Sequence, residues 1–200
     1  MADWAAFARQ RLHPILSVNA PVSVISMPAF IALVRSVLPS DPAFPGLIVE
    51  VTEDEVIHDS AWVREIGNQL KLYNVGISID DFGSASASLS RLNDLPFTEV
   101  KIDRSFVLGC SSNHLKRSVC QTVVDLGHRF GATVCAEGVE TVGDLRALIA
   151  MECDSAQGYL FAKAMPAAEF ASLLLGGSFE SIKSLLQTPD RRGPRLVLSA

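Results

Sequence analysis

EVKI (residues 99–102), LKRSVCQTVVDLGHRF (115–130) and ATVCA (132–136) follow one another along the chain, and their reading decides the fold. The first and third are short and rich in apolar residues, as the strands of a sheet buried on both faces are. The middle stretch repeats apolar residues at helical spacing, with Leu115, Val119, Val123, Leu126 and Phe130 in register. Gly131 follows the last of these, where a glycine commonly ends a helix. Strand, helix and strand joined by short connections make a βαβ unit, whose two strands run parallel.

The same alternation extends in both directions. Upstream, 3–12 reads as a helix with Trp4, Ala8 and Leu12 on one face, and 15–19 as a strand. A helix over 28–38 leads to a strand over 47–51. An amphipathic helix over 62–72 carries Val63, Ile66 and Leu70 on one stripe, and a strand over 75–79 runs into Asp80-Asp81. A short helix is expected over 84–92. Downstream come a helix over 141–150, a strand over 153–156 and a helix over 167–175. Six strands in alternation with helices predict an α/β fold, a parallel sheet wrapped by helices, with strands apolar on both faces. Residues 1–187 read as one domain, and 188–200, with their Pro, Arg and Gly, as a flexible tail.

Composition sets limits on function. The 200 residues suit one domain, and 48% hydrophobic residues supply one core. A net charge of −5 argues against a DNA- or RNA-binding surface, which would carry a basic excess. Four cysteines without a C-x-x-C pair read as reduced thiols. No apolar run approaches the roughly 18 residues of a membrane span, and no signal-peptide pattern opens the chain. A cytoplasmic protein is the expectation.

Polar residues gather at the strand ends. Asn19, Glu50, Asp80-Asp81, Lys101, Glu137 and Gln157 each stand at or near the C-terminal end of a different predicted strand. In a β/α barrel that rim is where active sites are built. Carboxylates and an amide oxygen are hard ligands suited to Mg²⁺ or Mn²⁺. The histidines at 13, 58, 114 and 128 show no ligand spacing. Adjacent acids such as Asp80 and Asp81 can share two cations, an arrangement that cuts phosphodiesters. Lys101 in such a site could orient a water or neutralise developing charge. Each residue also has a simpler reading: Asp81 as a helix cap, Glu53 and Glu140 as solvated helix-start acids, Lys101 as a surface lysine, Asn19 as a turn residue.

These residues fall in motifs that resemble those of the EAL-domain family. Glu50-Val51-Thr52-Glu53 is similar to E-x-T-E, Asp80-Asp81-Phe82-Gly83 to D-D-F-G, and residues 101–106 to K-I-D-R-S-F. Residues 136–141 match A-E-G-V-E-T, Gln157-Gly158-Tyr159 matches Q-G-Y, and Ser17-Val18-Asn19 resembles the strand that carries the family's metal-binding asparagine. The match covers about 15–166. The resemblance implies a TIM-like (β/α) barrel that opens cyclic di-GMP to the linear dinucleotide with two Mg²⁺ or Mn²⁺ ions. It implies metal ligands at Asn19, Glu50, Asp80, Asp81 and Glu137, a catalytic lysine at Lys101, and supporting roles for Glu53, Asp103, Glu140 and Gln157. Glu53 resembles the glutamate that steadies the loop after Asp81. A homodimer, or an upstream sensor or cyclase domain, is the kind of partner the resemblance suggests.

Departures keep an alternative open. No glutamate precedes Glu50, so the E-A-L motif is absent from these residues. Ala85 and Ser86 stand where Gly and Tyr are usual, Pro21 where a serine is usual, and Ala164 where a proline is usual. A barrel closes with eight strands, against six here, so an incomplete barrel is expected, with strand edges open near Ile15 and Cys153 and a tendency to associate. The alternative function is a non-catalytic module that binds cyclic di-GMP or another protein.

Overall fold

Chain contacts divide the protein into two units, Met1–Glu99 and Val100–Ala200. The computed structural model describes residues 1–58, 60–83, 95–176 and 195–196. The helix expected over 84–92, and all of the 188–200 tail except 195–196, lie outside the described residues.

In the first unit, α1 (Ala2–Arg9) buries Trp4 and Phe7, and Trp4 meets Phe44 edge-on with ring centroids 5.0 Å apart. The expected face, Trp4 with Ala8 and Leu12, gives way to Trp4 with Phe7, because the phenyl ring removes more apolar surface from water than a methyl does. Three parallel strands follow in order: β1 (Leu16–Asn19), β2 (Leu47–Thr52) and β3 (Val75–Phe82). Short helices α2 (Val22–Ile25) and α3 (Phe30–Val37) join β1 to β2, and α4 (Glu53–His58) and α5 (Ser60–Lys71) join β2 to β3. Among these, α2 and α4 are too short to show a helical repeat in the sequence.

The strands are not apolar on both faces. Leu47, Val49 and Val51 of β2 and Val75, Ile77 and Ile79 of β3 are buried on one face, at about 1.5–3 kcal/mol per fully buried aliphatic side chain. The alternate positions are Ser17, Asn19, Glu50, Thr52, Ser78 and Asp80. The register Asn19↔Glu50↔Ser78 and Thr52↔Asp80 sets them in rows. Polar residues survive there because they bond one another. Ser17 Oγ donates to Glu50 Oε1, and the buried Ser78 Oγ donates to Glu99 Oε1 at 2.8 Å.

The second unit begins in β4 (Glu99–Ile102) and continues through α6 (Arg104–Val107), α7 (His114–Arg129), β5 (Thr133–Ala136), α8 (Val142–Ala150), β6 (Ser155–Ala156) and α9 (Ala167–Leu175). The β5 and β6 strands pair in parallel. Asp103, Asn113 and Thr141 cap α6, α7 and α8, each accepting a hydrogen bond from a first-turn N–H. Helix α7 ends as the sequence predicts. Gly131, at φ +73°, donates to His128 O, and Ala132 N donates to Gly127 O, the paired bonds of a Schellman ending. Its buried face differs from the expected stripe. Cys120, Val123, Val124 and Gly127 are buried, whereas Leu115 is 74% exposed. A Cβ on Gly127 would lie 2.4 Å from Val134 Cγ2, so the missing side chain lets α7 close on β5 and turns the helix.

The open edge expected near Cys153 is also corrected. Arg195–Leu196 form β7, which pairs in parallel with β6. On β1, β2 takes one edge, and no strand among the described residues takes the other.

Candidate functional site

Register brings Asn19 at the end of β1 beside Glu50 of β2, and neighbouring strands stand about 4.8 Å apart. Glu50 is buried and takes the Ser17 hydroxyl, while Ala20 N donates to Glu50 O at 3.0 Å and carries the pairing past the strand end. Glu53 follows at the start of α4. It is only 2% exposed, and its Oε2 accepts from Gly83 N at 3.0 Å. The solvated helix-start reading of Glu53 is thus overturned, since the carboxylate holds the backbone after Asp81.

Successive residues of a regular strand point to opposite faces. Asp81 breaks that rule with φ +55°, a conformation that aspartate tolerates better than most residues. Its N–H donates to Asp80 Oδ1 at 3.0 Å. Asp80 and Asp81 can then offer carboxylate oxygens within 4.8 Å of each other. Two such acids raise the local negative charge and favour a cation.

In the second unit, Lys101 is 3% exposed, which overturns the surface-lysine reading. Its Nζ meets Glu137 Oε1 at 2.7 Å, and Gln157 Nε2 donates to the same oxygen at 2.6 Å. Backbone bonds from Glu137 N to Ile102 O and from Gln157 N to Ala136 O fix these three side chains on adjacent strand ends. Glu140 pairs with Arg104 at 2.5 Å, and Asp103 takes both the N–H and the hydroxyl of Ser105.

The EAL domain profile matches residues 1–164. The chain belongs to the EAL domain family. It is 32% identical over 166 residues to a cyclic di-GMP phosphodiesterase of Pseudomonas aeruginosa, a match covering 82% of this chain and 28% of that protein. The crystal structure of the EAL domain of Mycobacterium smegmatis DcpA superposes with a TM-score of 0.79 at 30% identity, over 88% of this chain and 80% of that one. The phosphodiesterase PaMucR, solved in complex with c-di-GMP, gives a TM-score of 0.72 at 32% identity, over 84% of this chain and 67% of that one. The chain spans 15% to 28% of the length of four curated relatives. Its α/β fold, with seven strands among the described residues, is that of the TIM-like EAL barrel. Among the described residues no helix is long and apolar enough to cross a membrane.

Within each unit of this EAL domain, the motif residues meet as partners. In the first, Asn19 joins Glu50 by register, Asp80 joins Asp81 by the backbone turn, and Glu53 reaches Gly83. In the second, Lys101, Glu137 and Gln157 share one carboxylate oxygen. The altered loop positions Ala85 and Ser86 lie outside the described residues. Reading by motif missed several residues. Ser17 and Ser78 lie two positions before Asn19 and Asp80, so strand alternation was the signal that could have found them. Glu55 stands at the third helical position after Thr52, the spacing of a capping box. Asp144 gave no signal, since a single helix-start acid is ordinary.

Asp144 is 2% exposed and accepts from Ser111 N at 2.9 Å, Thr141 Oγ1 at 2.8 Å and Gly109 N at 3.2 Å. Burial works against its charge, but these bonds outweigh burial and hold its carboxyl below the usual aspartate value. The four cysteines are free thiols, as the sequence suggested, and all four are buried. Bonding to Cys120 pushes the Cys110 thiol up and draws Cys120 down, and burial pushes Cys153 up to about 12. Cys110 and Cys153 are therefore inert thiols at neutral pH.

The donor set of the first unit fits a divalent cation. An amide oxygen and three carboxylates are hard ligands, and the backbone turn at Asp81 gathers two of them.

Proposed function

We propose that this EAL domain hydrolyses cyclic di-GMP to the linear dinucleotide with two divalent cations, Mg²⁺ or Mn²⁺. The observation that carries the proposal is the Asp80–Asp81 turn, which sets two carboxylates side by side in a member of a family that includes cyclic di-GMP phosphodiesterases. Asn19, Glu50, Asp80 and Asp81 would supply oxygen ligands, and the likeness of residues 136–141 to A-E-G-V-E-T supports a ligand role for Glu137. Bound cations would supply hydroxide from water at neutral pH and stabilise the attacking and leaving oxygens. Ser17 orients the Glu50 carboxylate, and Glu53 holds the Gly83 amide and with it the turn at Asp81. Lys101 keeps a fixed positive charge against Glu137, suited to holding a water or countering charge on the phosphate. Gln157 braces the same oxygen, Glu140 anchors Arg104, and Asp103 caps the helix that follows Lys101.

A second reading, for a chain of these residues by themselves, is binding without turnover, since residues 1–49 offer no glutamate as a further ligand. Incubation of the chain with cyclic di-GMP and Mn²⁺ or Mg²⁺, with chromatography of the products, separates the two. Linear dinucleotide that disappears in Asp80→Asn supports hydrolysis. Saturable binding without product, in a folded sample, supports the second reading. Neither product nor binding overturns both.

A further inference from the structure

The turn that carries Asn19 into α2 lacks a local cap. Pro21 occupies the N-cap position, has no side-chain donor or acceptor, and makes no side-chain capping bond. The first N–H groups of a helix have no partner within the helix, and Val22 is only 8% exposed, so its N–H has little access to water. The acceptor comes from a distant segment. Glu55 Oε1 takes Val22 N at 3.3 Å, while Oε2 takes Thr52 Oγ1 at 3.0 Å and Thr52 N at 3.4 Å. One carboxylate therefore caps α4 at the end of β2 and ties down the turn at the end of β1.

We propose that Glu55 is a positioning residue, which fixes the Asn19 turn against the strand end that carries Glu50. The inference rests on the reading of Asn19 and Glu50 as cation ligands. Asn19 stands three residues before Val22, and Glu50 two before Thr52, so both ends of the Glu55 bridge lie within one turn of a ligand. Between them, Ala20 N to Glu50 O is the last strand bond. Without Glu55 the turn loses its side-chain tie to the end of β2, and the amide oxygen of Asn19 is held less firmly. Residues that orient metal ligands commonly change affinity about 10- to 100-fold when removed.

The test uses the full 200-residue chain. Mn²⁺ affinity is measured from the paramagnetic resonance of free ion, and amide hydrogen exchange is followed at Val22. Glu55→Ala is expected to weaken Mn²⁺ binding about tenfold and to speed exchange at Val22. Glu55→Gln keeps one acceptor oxygen, so an intermediate loss is expected, and it serves if the alanine variant does not fold. A merely structural cap would lower thermal stability and leave the Mn²⁺ affinity of the folded fraction unchanged. Wild-type Mn²⁺ binding with equal affinity in both variants overturns this inference alone. A wild-type chain that binds no Mn²⁺ overturns the proposed function, and this inference with it.

Discussion

The two units hold their polar residues in different ways. In the second, the helix ends are set locally, while the side chains that bridge elements come from as far apart as in the first, Lys101 and Glu137 standing 36 residues from each other. Three helices begin with a capping side chain, α7 ends in a glycine motif, and Lys101, Glu137 and Gln157 meet through strands that follow one another in the chain. In the first, the turns themselves are held from a distance. Glu53 reaches Gly83, Glu55 reaches Val22, and Ser17 reaches Glu50. Neither α2 nor α3 has a cap from its own N-cap side chain, and apolar side chains remain exposed at Ile15, Val18, Met27, Leu33 and Val37. A unit built from local signals tolerates little change at its turns. One built from long-range bonds should depend on distant residues and little on its exposed face.

The largest expected effect tests the turns of the second unit. Gly158 has φ +152°, and a Cβ there would lie 2.3 Å from the backbone N and O of Val139. Gly158→Ala should therefore destabilise the protein by about 3 kcal/mol, from strained backbone and a clash with atoms that cannot turn aside. Chemical denaturation measures it, and a loss below about 1 kcal/mol would break the comparison.

A smaller effect sharpens it. Asp144→Ala removes the acceptor of two backbone N–H groups and the Thr141 hydroxyl, and should cost about 2 kcal/mol. The pH dependence follows from the lowered carboxyl. The unfolded chain binds this proton more readily, so the stabilisation is full above the ordinary aspartate value of about 3.9 and is lost as pH falls through the folded value. Melting curves of wild type and variant should converge at the acid end of that window and stay parallel above it.

The smallest effect belongs to the first unit. Leu33 is 57% exposed, so Leu33→Glu should change stability by no more than about 0.5 kcal/mol. A loss of about 2 kcal/mol or more in the melting temperature analysis would show that this face is covered in solution.

Much of this architecture is legible in the sequence. The helices and strands of the second unit follow their repeats and caps, because a 16-residue helix such as α7 carries enough turns to show its period. The ordered motifs placed Asn19, Glu50, Asp80, Asp81, Lys101, Glu137 and Gln157 near strand ends, because strand-end chemistry repeats at loop spacing. What the sequence misjudged was facing. The stripe on α7 turned away from Leu115, because Gly127 yields to Val134. The strand faces of the first unit were read as apolar, although Ser17, Glu50 and Ser78 line one of them.

By itself, the sequence determined the family, the strand–helix alternation and the residue types at the rim, since these depend on neighbours in the chain and on motif order. Only the tertiary structure decided that Glu53 is buried, that Lys101 is braced by Glu137, that Asp81 turns back beside Asp80, and that Glu55 serves two turns at once. Burial and hydrogen-bond geometry depend on groups 20 to 36 residues apart, from the Gln157–Glu137 bond to the Lys101–Glu137 pair, and no local pattern encodes which distant group will arrive.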